Sequence, residues 1–285
     1  MCMKLTCVTA TFNCIKAGNR ERLIRCVESV ATLKTEHEHL IYDGASTDGT
    51  VELLRELESK TPGLKVVSEP DTGIYNALNK GVRDAKGEWF YVLGADDYIS
   101  HPDVMDRLLK EEKQRTQVIV APIERDGMSP YFESLADLKK ILWTVAYSHQ
   151  GVVVRTKTMR KYGGFDERYT IVADGDLLFK MHKAALPFHY TFSPFTNFFL
   201  GGTCMSNWCT TREEVSRIMA KHLHIPEKER VLAEERGYWP LIRVLPCVFH
   251  KDYAIRCSAL HFLVMFAKRY LRIVLRPFCF LIRKK

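Results

Sequence analysis

The stretch SEPDTGIYNALNKGVRDAKGEW (68–89) decides the fold. Within it Ile74, Leu78, Val82 and Ala85 recur at the spacing of one helix face, so residues 73–85 read as an amphipathic helix starting directly after Glu69-Pro-Asp-Thr-Gly. Apolar runs flank it at 64–67 and 89–93. Strand, crossover helix and strand make a parallel unit, and the same alternation extends outward to buried strands at 5–10, 40–42 and 118–121. The second half is mixed: 150–155 reads as a strand, 174–184 as a helix, and 188–200 as one or two strands broken at Pro194. Beyond Gly201-Gly202 the pattern turns helical and charged, clearest at 207–223 and 227–236. The expected organisation is an α/β domain over 1–202 and a helical extension over 203–285.

In open α/β sheets ligands bind beyond the carboxyl ends of the strands. The polar signatures of this chain fall there. Thr9, Thr11 and Asn13 end the first strand, DGASTDGT (43–50) the second, EPDTG (69–73) the third and GADD (94–97) the fourth. Adjacent carboxylates such as Asp96 and Asp97 repel, which is sensible where a divalent cation is shared with a pyrophosphate; the bland alternative is that Asp97 caps a helix near His101-Pro102. Asp48-Gly49 reads as turn chemistry, with Ser46, Thr47 or Asp48 capping a helix that begins near Thr50. Asp43 stands outside any cap and suits an acceptor for a base N–H or a sugar hydroxyl. Lys80 either meets a phosphate oxygen or is a solvated lysine on a polar helix face. His149-Gln150 contacts acceptor or metal, or is a structural pair.

The set VTATFN (8–13), DGASTDGT (43–50), SEPDTGIYNALNKGVRDAKGEW (68–89), LGADD (93–97) and ADGDLLFKM (173–181) resembles the bacterial glycosyltransferase family 2, of GT-A fold, over roughly residues 4–200. The likeness is greatest to members that build capsular, exopolysaccharide or lipopolysaccharide chains. The resemblance implies a mixed, mostly parallel sheet flanked by helices and an inverting, metal-dependent transfer from a nucleotide-sugar, a UDP-sugar first, to a glycan or lipid-linked saccharide. Carried over by position, Thr9 and Asp43 would hold uracil and ribose, Asp71 would lie near the same cleft, and Asp96 and Asp97 match the metal motif; Thr11, Asn13, Lys80 and Asp96 are further candidates for binding the nucleotide-sugar. Asp97 would bind Mn²⁺ or Mg²⁺, and Asp174 would be the base. The family's Glu-Asp is replaced here by Ala173-Asp174-Gly175-Asp176, so either Asp is a candidate base; Asp174 is preferred, and Asp176 is expected to cap the helix at Leu177. Gly163-Gly164 reads as a helix stop before a Phe165-Asp166 corner.

The net charge of +8 is a property of one end of the chain. Residues 251–285 carry nine Lys/Arg against Asp252 alone, so the body is balanced and a nucleic-acid partner is not expected. The apolar residues interleaved there, Phe262, Leu263 and Phe266 among them, suggest a helix lying on an anionic membrane surface; the alternative is a core helix with an exposed basic side. Nine scattered cysteines without a zinc-type pair, and an N-terminus that runs straight into a strand, fit a cytoplasmic protein peripheral at the inner membrane face. Oligomeric state, a homo-oligomer included, is left open. Two other readings compete. A nucleotidyltransferase would need a Gly-rich basic loop where this chain has Thr9-Ala-Thr-Phe-Asn, and a non-catalytic sugar-nucleotide-binding subunit would not need acids at 96, 97 and 174.

Overall fold

The computed structural model describes residues 3–125, 149–201, 207–226, 228, 245–252, 255–256, 258–265 and 267. Seven strands form the main sheet. β1 (Leu5–Thr11), β2 (His37–Asp43), β3 (Leu64–Ser68) and β4 (Trp89–Val92) are parallel neighbours in the order β3-β2-β1-β4. The sheet continues through β8 (Val152–Arg155), antiparallel to both β4 and β6 (Val118–Val120), and ends on β9 (Phe188–Tyr190). A small second sheet joins β5 (Tyr98–Ile99), β10 (Thr196–Phe198) and β7 (Glu124–Arg125). The register pairs Thr11 with Asp43 and Asp43 with Ser68, which sets three polar residues side by side at one sheet edge.

Helices α1 (Arg20–Ala31), α2 (Thr50–Lys60), α3 (Ile74–Asp84), α4 (Pro102–Glu111) and α5 (Thr156–Lys161) connect these strands. α6 (Ala173–Lys183) and α7 (Trp208–His222) follow. The helix expected over 73–85 is α3, with one change to its buried face: Ile74 is exposed, and Tyr75 turns inward beside Leu78, Gly81 and Val82. Gly81 lets α3 lie close on the sheet, since a Cβ there would stand 2.5 Å from Val8 Cγ1.

Two expected elements come out differently. Residues 149–151 form a 3-10 turn ahead of β8, and the run 188–200 divides into β9 and β10, which belong to different sheets on either side of Pro194. The helix expected over 227–236 lies outside the described residues, apart from residue 228.

The boundary expected at 202 does not separate two cores. Ile218, Met219, Leu223, Ile255, Ala259 and Phe262 belong to the same hydrophobic cluster as Val8 and Val118 of the sheet. Phe262 is 1% exposed, so it serves the core and is not free to enter a lipid headgroup layer. On that helical stretch the exposed apolar side chains are Leu260, Val264 and Met265. Phe266 and residues 268–285 lie outside the described residues. Among the described residues no helix is long and apolar enough to cross a membrane.

Candidate active site

Strand ends β1, β2 and β3 meet at Asp43. Its Oδ1 accepts Thr11 Oγ1–H at 3.0 Å and Ser46 Oγ–H at 2.5 Å; its Oδ2 accepts the Ser46 N–H and the Ser68 hydroxyl, each at 2.8 Å. Asp43 is 1% exposed, so the open acceptor expected from the sequence is instead a buried knot with every strong acceptor position taken by its own chain. Asn13, held at φ +47, donates its N–H to Ser46 Oγ and accepts the Thr47 N–H, which lashes the loop after β1 to the loop after β2. Asp48 has the expected turn chemistry, accepting the N–H and hydroxyl of Thr50. Thr9 is fully buried, bonded to His39 Nε2 at 2.9 Å, so its side chain stays below the cleft.

The outer lip of this edge carries Asp71 and Phe12. Asp71 accepts the Gly73 N–H and lies against Gly44, where a Cβ would come within 2.9 Å of Asp71 Oδ2 and 3.3 Å of the Phe12 ring. Phe12 is 65% exposed although apolar, an arrangement that offers an aromatic face to a ligand. Lys80 is not free for a phosphate: it is paired with Glu69 at 2.7 Å and donates to the Pro70 carbonyl.

His149 is bonded to Asp174 and feels the charge of Asp97, whose neighbour in the chain is Asp96. Asp97 is 1% exposed, and its Oδ1 accepts the Phe199 N–H at 2.9 Å; it does not cap α4, whose N-terminal residue His101 makes no side-chain cap. Its Oδ2 is buried without a partner. Burial, then the neighbouring Asp96 charge, push the Asp97 carboxyl up to about 7, against partial relief from the Phe199 N–H, His149 and Gln150. Asp96 is raised as well, chiefly by burial. His149 Nδ1 donates to Asp174 Oδ2 at 2.9 Å. Burial alone would lower the His149 pKa, but Asp174 and Asp97 together raise it, so the ring lies within electrostatic reach of both acids. Tyr75 Oη donates to the Ile171 carbonyl at 2.5 Å and reaches Asp174 Oδ1 at 3.4 Å.

A divalent cation suits the Asp96-Asp97 pair. The orphaned Asp97 oxygen and the raised pKa of both acids mark a place where negative charge is uncompensated. Among the described residues no three His, Cys, Asp or Glu side chains form a metal cage.

Asp176 has a different fate from Asp174. It sits inside the first turn of α6 and does not cap it, is fully buried, and is surrounded by Lys180 at 2.7 Å, Lys221 at 3.0 Å and His222 Nε2 at 2.9 Å. Burial opposes its charge, but His222, Lys180 and Lys221 outweigh that and hold its carboxyl well below the usual range. The sequence alone gives no role to Phe12 or Tyr75, leaves His149 open and gives Asn76 little weight. In the structure Asn79 and Asn76 donate to Glu167 at 2.8 and 3.0 Å, and Asn79 also brackets the backbone of Phe165. Gly164 must be glycine there: φ is +67 and a Cβ would stand 2.4 Å from Asn79 Oδ1. The two asparagines of the NALNKG run thus clamp the Gly-Gly-Phe-Asp corner that leads into α6. An exposed aromatic before Asn13 was the available signal for Phe12.

Comparison with known proteins bears on the fold and the family. The fold is similar to that of S. aureus TarS 1-349 in complex with UDP-GlcNAc, with a TM-score of 0.64 at 16% identity over 91% of this chain and 89% of that one. It is also similar to a mannosyltransferase from Pyrobaculum calidifontis in complex with GDP-Man and Mn²⁺, with a TM-score of 0.61 at 17% identity over 94% and 76% of the two chains. In sequence it is 27% identical over 156 residues to a PGL/p-HBAD biosynthesis glycosyltransferase of Mycobacterium tuberculosis, covering 53% of this chain and 60% of the relative. It is 28% identical over 168 residues to chondroitin synthase of Pasteurella multocida, covering 56% and 17%. The chain thus spans about 60% of the length of the mycobacterial relatives it matches. Residues 6–181, which include the carboxyl ends of β1 to β4, match the model of glycosyl transferase family 2, and the chain belongs to that family.

Proposed function

We propose that this protein transfers a sugar from a nucleotide-sugar, with a UDP-sugar the first candidate, to a saccharide or lipid-linked saccharide in cell-surface polysaccharide synthesis, with inversion at the anomeric carbon. The observation that carries the reading is the His149 imidazole, bonded to Asp174 and charge-coupled to Asp97, which brings the two ends of an inverting displacement into one cluster. Such a displacement needs a base on the acceptor side and charge neutralisation on the leaving-group side. Asp174 takes the proton of the acceptor hydroxyl. His149 donates to one of its oxygens, and the Tyr75 hydroxyl, whose proton goes to the Ile171 carbonyl, stands 3.4 Å from the other, so the carboxylate is held in one orientation for that transfer. Asp96 and Asp97 would hold Mn²⁺ or Mg²⁺, which would neutralise the departing diphosphate. Phe12 offers a stacking face for the base, with Asp71 at the same lip. The knot at Asp43 keeps three strand ends in register beneath the nucleotide rather than touching it.

The basic tail brings this site to an anionic membrane surface at the cytoplasmic face, helped by the exposed Leu260, Val264 and Met265.

The test is a donor screen with Mn²⁺ or Mg²⁺ that reads nucleoside diphosphate release and ligand-induced thermal shift. Asp97→Ala should lose metal-dependent donor binding, whereas Asp174→Asn should keep the donor and lose transfer. Full turnover by Asp174→Asn would remove that residue from the mechanism.

A further inference from the structure

α6 begins without a cap of its own. Its N-terminal flanking residue is Val172, which has no side-chain acceptor, and the N–H groups of residues 170–172, which lead into the helix, take their partner from outside it. Glu214, in the middle of α7, supplies it. Oε1 accepts the Thr170 N–H at 2.7 Å and the Thr170 hydroxyl at 2.8 Å; Oε2 accepts the N–H groups of Ile171 and Val172 at 3.0 and 3.1 Å. The carboxylate is 6% exposed, and a negative charge at a helix N-terminus is also favoured by the helix dipole.

The same short segment is gripped from the opposite side, where Tyr75 Oη donates to the Ile171 carbonyl. Residues 170–172 are therefore held between α3 and α7, two positions ahead of Asp174. The last turn of α7 takes a second hold on α6, through Lys221 and His222 on Asp176. α7 lies wholly beyond the segment matched by the family model, which ends at residue 181.

We propose that Glu214 is a positioning residue for sugar transfer: its carboxylate fixes the backbone of 170–172 and so aims the Asp174 carboxylate at the acceptor hydroxyl. This rests on the reading of Asp174 as the base. With Glu214 gone, the lower grip at Asp176 still anchors the helix, while the entry to α6 loses four hydrogen bonds and can shift. A displacement near 1 Å at a reacting group can cost about 100-fold in rate. Donor affinity should be untouched, because Glu214 lies on α7 and its hydrogen bonds go to residues 170–172, away from Asp96, Asp97, Asp71 and Phe12.

The experiment uses the full chain and three variants, Glu214→Ala, Glu214→Gln and Asp174→Asn. Turnover is read as UDP release from whichever UDP-sugar gives the highest release with the unmodified protein and Mn²⁺. Donor-side integrity is read as the thermal shift produced by UDP with Mn²⁺. Glu214→Ala should lower kcat about 100-fold with unchanged donor KM and unchanged UDP shift. Glu214→Gln should lose about tenfold, because its carbonyl still serves Thr170 while its NH2 group opposes the N–H groups of Ile171 and Val172. Should the alanine variant fail to fold, the near-isosteric glutamine variant decides. Wild-type kcat in Glu214→Gln with an inactive Asp174→Asn overturns the proposal, as does a kcat loss matched by an equal loss of the UDP shift. Full activity in Asp174→Asn instead overturns the assignment of the base.

Discussion

Replacing Asp97 by asparagine should flatten the pH dependence of stability in the metal-free protein. The folded chain raises the Asp97 carboxyl from 3.8 to about 7, through burial first and the Asp96 charge second. A folded pKa above the unfolded one means that the native state binds the extra proton between those values, so stability falls as pH rises through that window and levels off above about 7. Each unit is worth about 1.4 kcal/mol, which gives a loss of about 2 kcal/mol between about pH 5.5 and about pH 8. The whole window amounts to about 4 kcal/mol as a ceiling. An asparagine side chain at this position would keep the acceptor for the Phe199 N–H and carry no charge. Its buried amide could cost about 1 to 3 kcal/mol, but equally at every pH, so the slope and not the offset is diagnostic. His149, whose pKa is raised by Asp174 and in part by Asp97, adds a loss in the same direction near and above its ordinary value, and that loss shrinks in the variant, so both effects flatten the variant's slope relative to wild type. Urea denaturation across the pH range, in chelator, measures this directly. Saturating Mn²⁺ at about pH 8 should restore the wild type and leave the variant unchanged, as expected for a ligand that binds only the native charged site. Parallel pH curves for the two proteins would refute the reasoning, because Asp97 would then not be the strained group.

Asp176→Asn should destabilise the protein by about 3 kcal/mol at neutral pH, since it leaves Lys180, Lys221 and His222 without their shared counter-charge. The folded pKa of Asp176 is depressed, so its contribution is present above about 3.8 and is lost as pH falls below that; the gap to wild type in chemical denaturation should shrink there, and a constant gap would count against the cluster. Removal of residues 268–285, which takes away seven Lys/Arg but leaves the core residues Ile255, Ala259 and Phe262 in place, should move the protein from the membrane to the soluble fraction in cell fractionation. Near an anionic surface each basic residue is worth about 1 kcal/mol, and unchanged partitioning would remove the tail from the account of acceptor access.

The parts of this fold that obey local rules were legible. Period-3.6 spacing located α3, continuous apolar runs located β1 to β4, and the polar residues closing those runs fall at the carboxyl ends of those strands. What escaped depends on neighbours far off in sequence. Asp43 looks like a free acceptor until the register of β1, β2 and β3 brings Thr11 and Ser68 to its oxygens. Lys80 looks solvated or phosphate-seeking until Glu69 folds back onto it. Two-residue strands such as β5 and β7 have no periodicity to read, and Phe262 has the composition of a membrane-facing residue but a place in the common core.

The choice between Asp174 and Asp176 shows how little composition says about role. Successive residues of a helix are about 100° apart, so two carboxylates separated by one glycine point to nearly opposite sides of α6. One side meets His149 and α3, where Asp174 finds the His149 ring and the Tyr75 hydroxyl; the other meets α7, where Asp176 finds Lys221 and His222, with Lys180 of its own helix beside it. Taking up a proton at Asp176 would strand those cations in a buried site, so that acid resists protonation and serves as an anchor. Asp174 accepts one ring N–H, from His149, and has beside it a Tyr75 hydroxyl whose own proton goes to the Ile171 carbonyl. The environment therefore sets two identical side chains apart, one against a single imidazole and one inside a basic cluster that fixes its charge. That separation depends on α7, which lies beyond the segment matched by the family model and supplies two of the three partners of Asp176.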